Sequence, residues 1–194
     1  MPGVAVFLLN LGGPRTLAEV EPFLYELFSD PDVIPIRWAP LRRMLARIIS
    51  SRRAPSSSEK YQLIGGGSPL VVATQAQAQA LGQALGTPFA TYVAMRYGRP
   101  NIQEAVGQAL AAEVDQAVAL PLYPQYSKST TKSAVDELMR HWPKGRPINI
   151  IERFAAHPAY IDALASTVRD VLVRLAHDLR GNPLLLFSAH GLPM

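Results

Sequence analysis

Gly3-Val4-Ala5-Val6-Phe7-Leu8-Leu9-Asn10, followed by Leu11-Gly12-Gly13-Pro14, decides the fold. A short unbroken apolar run that stops at a Gly-Gly-Pro turn reads as a buried strand. Thr16-Leu17-Ala18-Glu19 has the form of a capping box and opens a helix toward Phe28. Pro40 suits the first turn of a second helix, with Leu41, Met44, Leu45, Ile48 and Ile49 on one side. Ser56-Ser57-Ser58-Glu59 is a second capping box, and Ile64 to Pro69 is a loop before a helix that ends near Leu85. Further strands are expected over Phe89–Met95, Ala117–Leu122, Ile148–Ile151 and Leu184–Ser188. Helices are expected from Pro100, over Thr131–Trp142, and from Pro158 to Asp178.

This alternation predicts an α/β protein with a doubly wound parallel sheet and right-handed crossovers. Four strands already make a small sheet, so a boundary is expected near Arg146–Arg153. That gives a first domain over residues 1–146 and the start of a second over 147–194. A chain that stops just after a fresh strand, with nothing packed behind it, is expected to be truncated.

At 48% hydrophobic and 18% charged residues, the composition is globular rather than disordered. No cysteine is present, which excludes disulfides, thiolate zinc sites and cysteine-ligated iron–sulfur clusters. It also fits a cytoplasmic protein. No apolar run approaches the ~20 residues of a membrane helix, and the Val4–Leu9 run lacks the flanks of a signal peptide. The net charge of +4 has a local origin: Arg37, Arg42, Arg43, Arg47, Arg52 and Arg53 lie together, with no acid between Asp32 and Glu59. Such a patch suits a membrane surface or an anionic ligand rather than nucleic acid, and a solvated helix face explains it equally well. The apolar stripe after Pro40, with Trp38 beside it, likewise reads as an interfacial helix or as a core helix with a basic outer face.

Ligands of such folds bind beyond the carboxyl ends of the strands. The segments there are Leu11–Arg15, Arg96–Tyr97, Tyr123–Thr131 and Ala189–Met194. His190 follows an apolar run at a strand end, where it reads as a base, a metal ligand or a structural turn residue. His141, His157 and His177 read as surface or capping residues. Ser188 and His190 do not make a hydrolase site, since the bent nucleophile turn Gly-x-Ser-x-Gly is absent. Gly65-Gly66-Gly67 reads as a weak phosphate loop or as a tight turn. Ser127, Ser129, Thr130 and Thr131 suit either an anion site at a helix start or simple capping. Patterns alone therefore give an anion-binding α/β protein and name no reaction.

Together the motifs say more. Leu8-Leu9-Asn10-Leu11-Gly12-Gly13-Pro14, Phe23-Leu24-x-x-Leu27-Phe28-x-Asp30 and Tyr61-x-x-Ile64-Gly65-Gly66-Gly67-Ser68-Pro69-Leu70 occur in that order. Met95-Arg96-Tyr97, Leu120-Pro121-Leu122-Tyr123-Pro124-Gln125-Tyr126-Ser127-x-Ser129-Thr130-Thr131 and Ser188-Ala189-His190-Gly191-Leu192-Pro193 follow. The set resembles the ferrochelatases, which insert ferrous iron into a porphyrin, over the whole chain but a little more than half of the family's usual length.

The resemblance implies a chelatase-like fold of two Rossmann-like domains, the second incomplete here. It implies that His190 accepts pyrrole protons, ligates the metal, or both. It places Arg53, Tyr61 and Ser68 against the porphyrin, chiefly its propionates, and Leu11, Leu24, Leu27 and Phe28 along the pocket or its mouth. Arg96, Tyr97, Tyr123, Ser127 and Thr130 would form a polar floor and wall. The basic helix would be a lip resting on an anionic membrane surface, on the inner face of the membrane. Fe2+ would be a substrate and no iron–sulfur cluster is expected. Leu11 is not the tyrosine of the coproporphyrin-using branch, which favours protoporphyrin IX. Ser56 stands where some relatives have a propionate-binding lysine, and Lys128 where some have cysteine. The family's second-domain glutamate has no counterpart in this chain. A non-catalytic porphyrin-binding protein or remnant is the alternative.

Overall fold

The computed structural model describes residues 3–175, 183–188 and 191. Among them, β1 (Val4–Asn10), β2 (Phe89–Met95), β3 (Gln116–Pro121) and β4 (Ile148–Ile150) form one parallel sheet in the order β2-β1-β3-β4. The helices are α1 (Val20–Ser29), α2 (Ala39–Leu63), α3 (Leu70–Leu85), α4 (Ile102–Ala111), α5 (Ser133–His141) and α6 (Pro158–Arg174). The α/β class and parallel sheet are as read from the pattern. β4 joins that same sheet, pairing Ile148 with Ala117 and Ile150 with Ala119, although it lies past residue 146.

β1 is central because it is apolar on both faces. Ala5, Phe7 and Leu9 point to the layer formed by α4 and α5, while Val6 and Leu8 point toward α3. Phe7 is fully buried, 5.6 Å from the Tyr92 ring and edge-on to Trp142 at 5.7 Å. Asn101 caps α4 through a complete capping box with Glu104.

Both capping boxes expected from the sequence fail. A short 3-10 turn over Leu17–Glu19 does precede α1, but Thr16 makes no side-chain cap bond. The Glu19 carboxylate instead accepts from the Arg15 amide and guanidinium. Ser56–Glu59 lies inside α2, which runs on through Pro55. Packing carries it: Ala46, Ser50 and Ala54 are buried at helical spacing on one stripe. The large apolar residues on one side of this helix are not its buried stripe: Met44 and Ile48 are exposed, and Leu41, Leu45 and Ile49 are half-buried.

The expected fifth strand does not form: residues 183–188 have no strand partner among the described residues. Leu184, Leu186 and Phe187 are each more than four-fifths exposed, so neither ladder hydrogen bonds nor burial holds this run extended in a sheet. α6 has no buried residue either.

Phe7→Ala should cost about 3–5 kcal/mol, because the cavity opens between two aromatic neighbours at the centre of the sheet. A urea midpoint within error of the parent's would contradict this placement of the core.

Candidate functional site

The carboxyl ends of the strands bring three of the four expected segments together. The Arg96 amide donates to the Asn10 carbonyl at 2.8 Å and the Tyr97 amide to the Leu11 carbonyl at 2.9 Å. On the other side of β1, the Leu122 amide donates to the Leu9 carbonyl at 2.8 Å. Asn10 holds the turn from below, its amide group donating to Thr74 Oγ1 while its carbonyl accepts from the Leu11 amide. Gly12, at φ +86°, lies so close to the next loop that a Cβ would sit 1.8 Å from the Tyr97 carbonyl oxygen. No other residue fits there. The fourth segment carries His190, which lies outside the described residues.

An apolar wall stands over this turn. Leu11, Leu24, Leu27, Phe28, Tyr61 and Tyr97 pack in one cluster with Val20, Phe23 and Ala54. The buried stripe of α2 faces it, leaving arginines to reach over α1: the Arg47 guanidinium lies 5.9 Å from the Tyr25 ring, and that of Arg53 5.6 Å from the Phe28 ring. Ser68 closes the near edge, its amide donating to the Pro14 carbonyl at 2.7 Å. The amides of Gly65 and Gly66 donate to Gln62 and Tyr61 carbonyls at the end of α2, so here the glycine run is a helix-terminating turn.

Beyond β3, Ser127 is buried and its hydroxyl shares a hydrogen bond with Thr130 Oγ1 at 2.7 Å. Lys128–Lys132 forms a π-type turn ahead of α5, and Ser127 makes no capping bond to it. The Tyr123 hydroxyl is buried without a hydrogen-bond partner among the described residues. Burial pushes its pKa up, and the nearby Arg96 charge pulls it the other way.

Asp30 is the residue that sequence reading missed. It ends α1 with its side chain 1% exposed. Its Oδ2 accepts from Tyr97 Oη at 2.7 Å, from Ser133 Oγ at 2.8 Å and from the Arg96 guanidinium, and its Oδ1 accepts from the Asp32 amide. Burial alone would raise its pKa. The hydrogen bonds from Tyr97 and the Asp32 amide, the Arg96 charge and the Ser133 hydroxyl outweigh burial and hold it below the usual carboxylate value. The only local hint was its place in the Phe28-x-Asp30 motif, since its partners lie 66, 67 and 103 residues away. A cavity of about 520 Å³ opens beside it, lined by Tyr25, Ser29, Asp30, Arg43, Arg96 and Tyr97 among others. Of the expected porphyrin contacts, only Arg96 and Tyr97 line that cavity.

The described residues contain no group of three His, Cys, Asp or Glu side chains placed to hold a metal ion. What they present is an apolar wall, arginines at its edge and a polar floor in which the half-buried Arg96 charge is already paired with Asp30. Such a surface suits a flat apolar molecule with anionic arms.

A family model for Ferrochelatase matches residues 3–194. This chain belongs to the ferrochelatase family. It is 44% identical over 201 residues to a ferrochelatase of Gloeobacter violaceus, covering 100% of this chain and 61% of that protein. It is 45% identical to one from a Synechococcus strain over 97% of this chain and 57% of the relative. Against the ferrochelatase of Aquifex aeolicus the identity is 42%, over 97% and 60%. The chain thus spans about 60% of the length of the curated relatives it matches. A chelatase-like Rossmann-type arrangement agrees with the parallel sheet described above.

Because the folded-state pKa of Asp30 is depressed, its contribution to stability is complete above the unfolded value of about 3.9. It is lost as pH falls through the lower folded value. Asp30→Asn should therefore cost about 3 kcal/mol near neutral pH, by taking the carboxylate partner from the largely covered Arg96 guanidinium. The gap to the parent should narrow below about pH 4. Urea midpoints measured across that range check both points, and a gap that stays constant into acid would refute the assignment.

Proposed function

We propose that the full-length protein is a ferrochelatase lyase of heme biosynthesis, inserting Fe2+ into protoporphyrin IX to give protoheme. The observation that carries this reading is the family match along the whole chain, joined to an apolar wall with Arg53 at its edge. In this reading Leu11, Leu24, Leu27 and Phe28 hold one face of the macrocycle. Arg53, Tyr61 and Ser68 take its propionate edge, with guanidinium and hydroxyl donors matched to carboxylates. Arg96, Tyr97, Tyr123, Ser127 and Thr130 form the floor and far wall. The absence of a tyrosine at position 11 supports protoporphyrin over coproporphyrin.

Metal entry displaces two protons from the pyrrole nitrogens, so a proton acceptor must stand by the macrocycle. His190 is assigned that task, or ligation of the incoming iron; a single ring nitrogen cannot do both at once. Gripping the macrocycle from two sides distorts it and turns its nitrogens toward the metal. The division into a first domain over residues 1–146 and a second beginning at residue 147 belongs to this reading, with β4 still paired to β3 of the first sheet.

α2 supports a further part of the reading, a lip resting on the inner face of the membrane in a cytoplasmic protein. Trp38 is 66% exposed, Met44 and Ile48 are also exposed, and arginines 43, 47, 52 and 53 surround them. Among the described residues no helix is long and apolar enough to cross a membrane.

In the full-length protein, His190→Ala should abolish iron insertion, assayed anaerobically with Fe2+ and protoporphyrin IX, while porphyrin binding followed in the Soret band persists. Retained turnover would end the assigned role. Replacing arginines 43, 47, 52 and 53 by glutamine should weaken sedimentation with phosphatidylglycerol vesicles by about tenfold or more. Unchanged sedimentation would remove the membrane contact.

A further inference from the structure

We propose that Asp30 is a positioning residue for metal insertion, acting through Arg96. The proposal rests on the ferrochelatase reading above and extends it to a residue buried behind the floor. Arg96 directly follows β2 and is held on three sides. Its Nη2 donates to Asp30 Oδ2, its Nε donates to Ser133 Oγ at 2.8 Å, and its guanidinium lies 4.8 Å from the centre of the Tyr97 ring. Ser133 and Tyr97 in turn donate to the same Asp30 oxygen. One carboxylate oxygen therefore sets both the direction of the guanidinium and the plane of the ring beneath it.

The position of this oxygen in the fold explains its reach. Asp30 ends α1, Arg96 and Tyr97 follow β2, and Ser133 begins α5. Three elements that wall the carboxyl end of the sheet meet at a single atom. Tyr97 is 1% exposed and packs edge-on against Phe23 at 6.4 Å, inside the cluster that includes Leu11, Leu24 and Phe28. Turning Tyr97 would shift that wall. The hydrogen bonds of Arg96 occupy Nε and Nη2, so Nη1 remains without a partner among the described residues. Its direction is fixed by the other two nitrogens, because a guanidinium is planar and rigid. Misplacing such a donor by about 1 Å is enough to cost roughly a hundredfold in rate.

A purely structural role makes a different prediction, and a mutant cycle separates the two. Replacing both members of a buried ion pair restores much of the stability that replacing one removes. In the full-length protein, Asp30→Asn and Arg96→Gln are each expected to lower kcat for Fe2+ insertion into protoporphyrin IX about tenfold or more. Rates are taken per folded molecule, below each variant's unfolding range. KM for the porphyrin should move by less than about threefold. The double variant should regain urea stability toward the parent's, yet stay as slow as Arg96→Gln alone.

Asp30→Asn with the parent's kcat per folded molecule would overturn the proposal, as would a double variant that regains activity with its stability. Should Asp30→Asn not fold, Ser133→Ala reads the same coupling. It is expected to slow insertion in the parent and to change nothing in the Arg96→Gln background; equal losses in both would overturn the proposal. If the unmodified full-length protein inserts no iron, the functional reading itself fails and this inference goes with it. Loss confined to the variants is a different and recognisable result.

Discussion

A single buried carboxylate organises the working end of this molecule. Asp30 cannot be ionised in an apolar setting without compensation, and Arg96, Tyr97, Ser133 and the Asp32 amide supply it. The compensating groups come from three parts of the chain. The end of α1, the loop after β2 and the start of α5 are therefore held in one arrangement by electrostatics rather than by apolar packing. Apolar packing alone would tolerate sliding; a carboxylate with four donors does not. Gly12 adds a second constraint, since the turn after β1 passes so near the Tyr97 carbonyl that no side chain fits between them.

Beneath this end the sheet provides stiffness. β1 lies between β2 and β3 and sends alternate side chains into two layers, so neither layer moves without disturbing the other. The turn over residues 11–15, with the cleft wall above it, rises from the best-buried strand among the described residues. Asn10 continues the pattern in polar form, with Thr74 on α3 satisfying the amide group that would otherwise be left buried.

Much of this was legible in the sequence. Phe89–Met95 was located to the residue, because a run rich in aromatic and apolar residues bounded by Pro88 and Arg96 favours an extended chain even at the edge of the sheet. The strand after α4 was shifted by one residue, since Gln116 pairs with Val4 despite its polarity. Local signals failed where distant partners decided the outcome. Glu19 looked like a capping partner for Thr16 and was taken by Arg15. Ser56–Glu59 looked like a helix start and lies within α2, because the buried stripe of Ala46, Ser50 and Ala54 leads up to it and Tyr61 packs beyond it. Leu184–Ser188 has the composition of a strand, but a strand exists only with a neighbour to bond. Leu11, Leu24, Leu27 and Phe28, expected along the pocket, do meet in space, and Tyr61 and Tyr97 join the same cluster. Asp30 stayed hidden because hydrogen bonds across 66 to 103 residues leave no local periodicity to read.

The buried stripe of α2 consists of small side chains, with Met44 and Ile48 exposed and Tyr61 packed only near the helix's far end. Along that stripe small residues leave no long side chain to re-rotamer, so the spacing of the backbones there is set almost by contact alone. A guest of different girth could not be met by widening that seam. Accommodation would fall to the outer ends of long side chains such as Arg47 and Arg53, which rest on aromatic faces and can swing without disturbing a helix. The scaffold would then be selective for the thickness of what it holds and tolerant of what that guest carries around its rim.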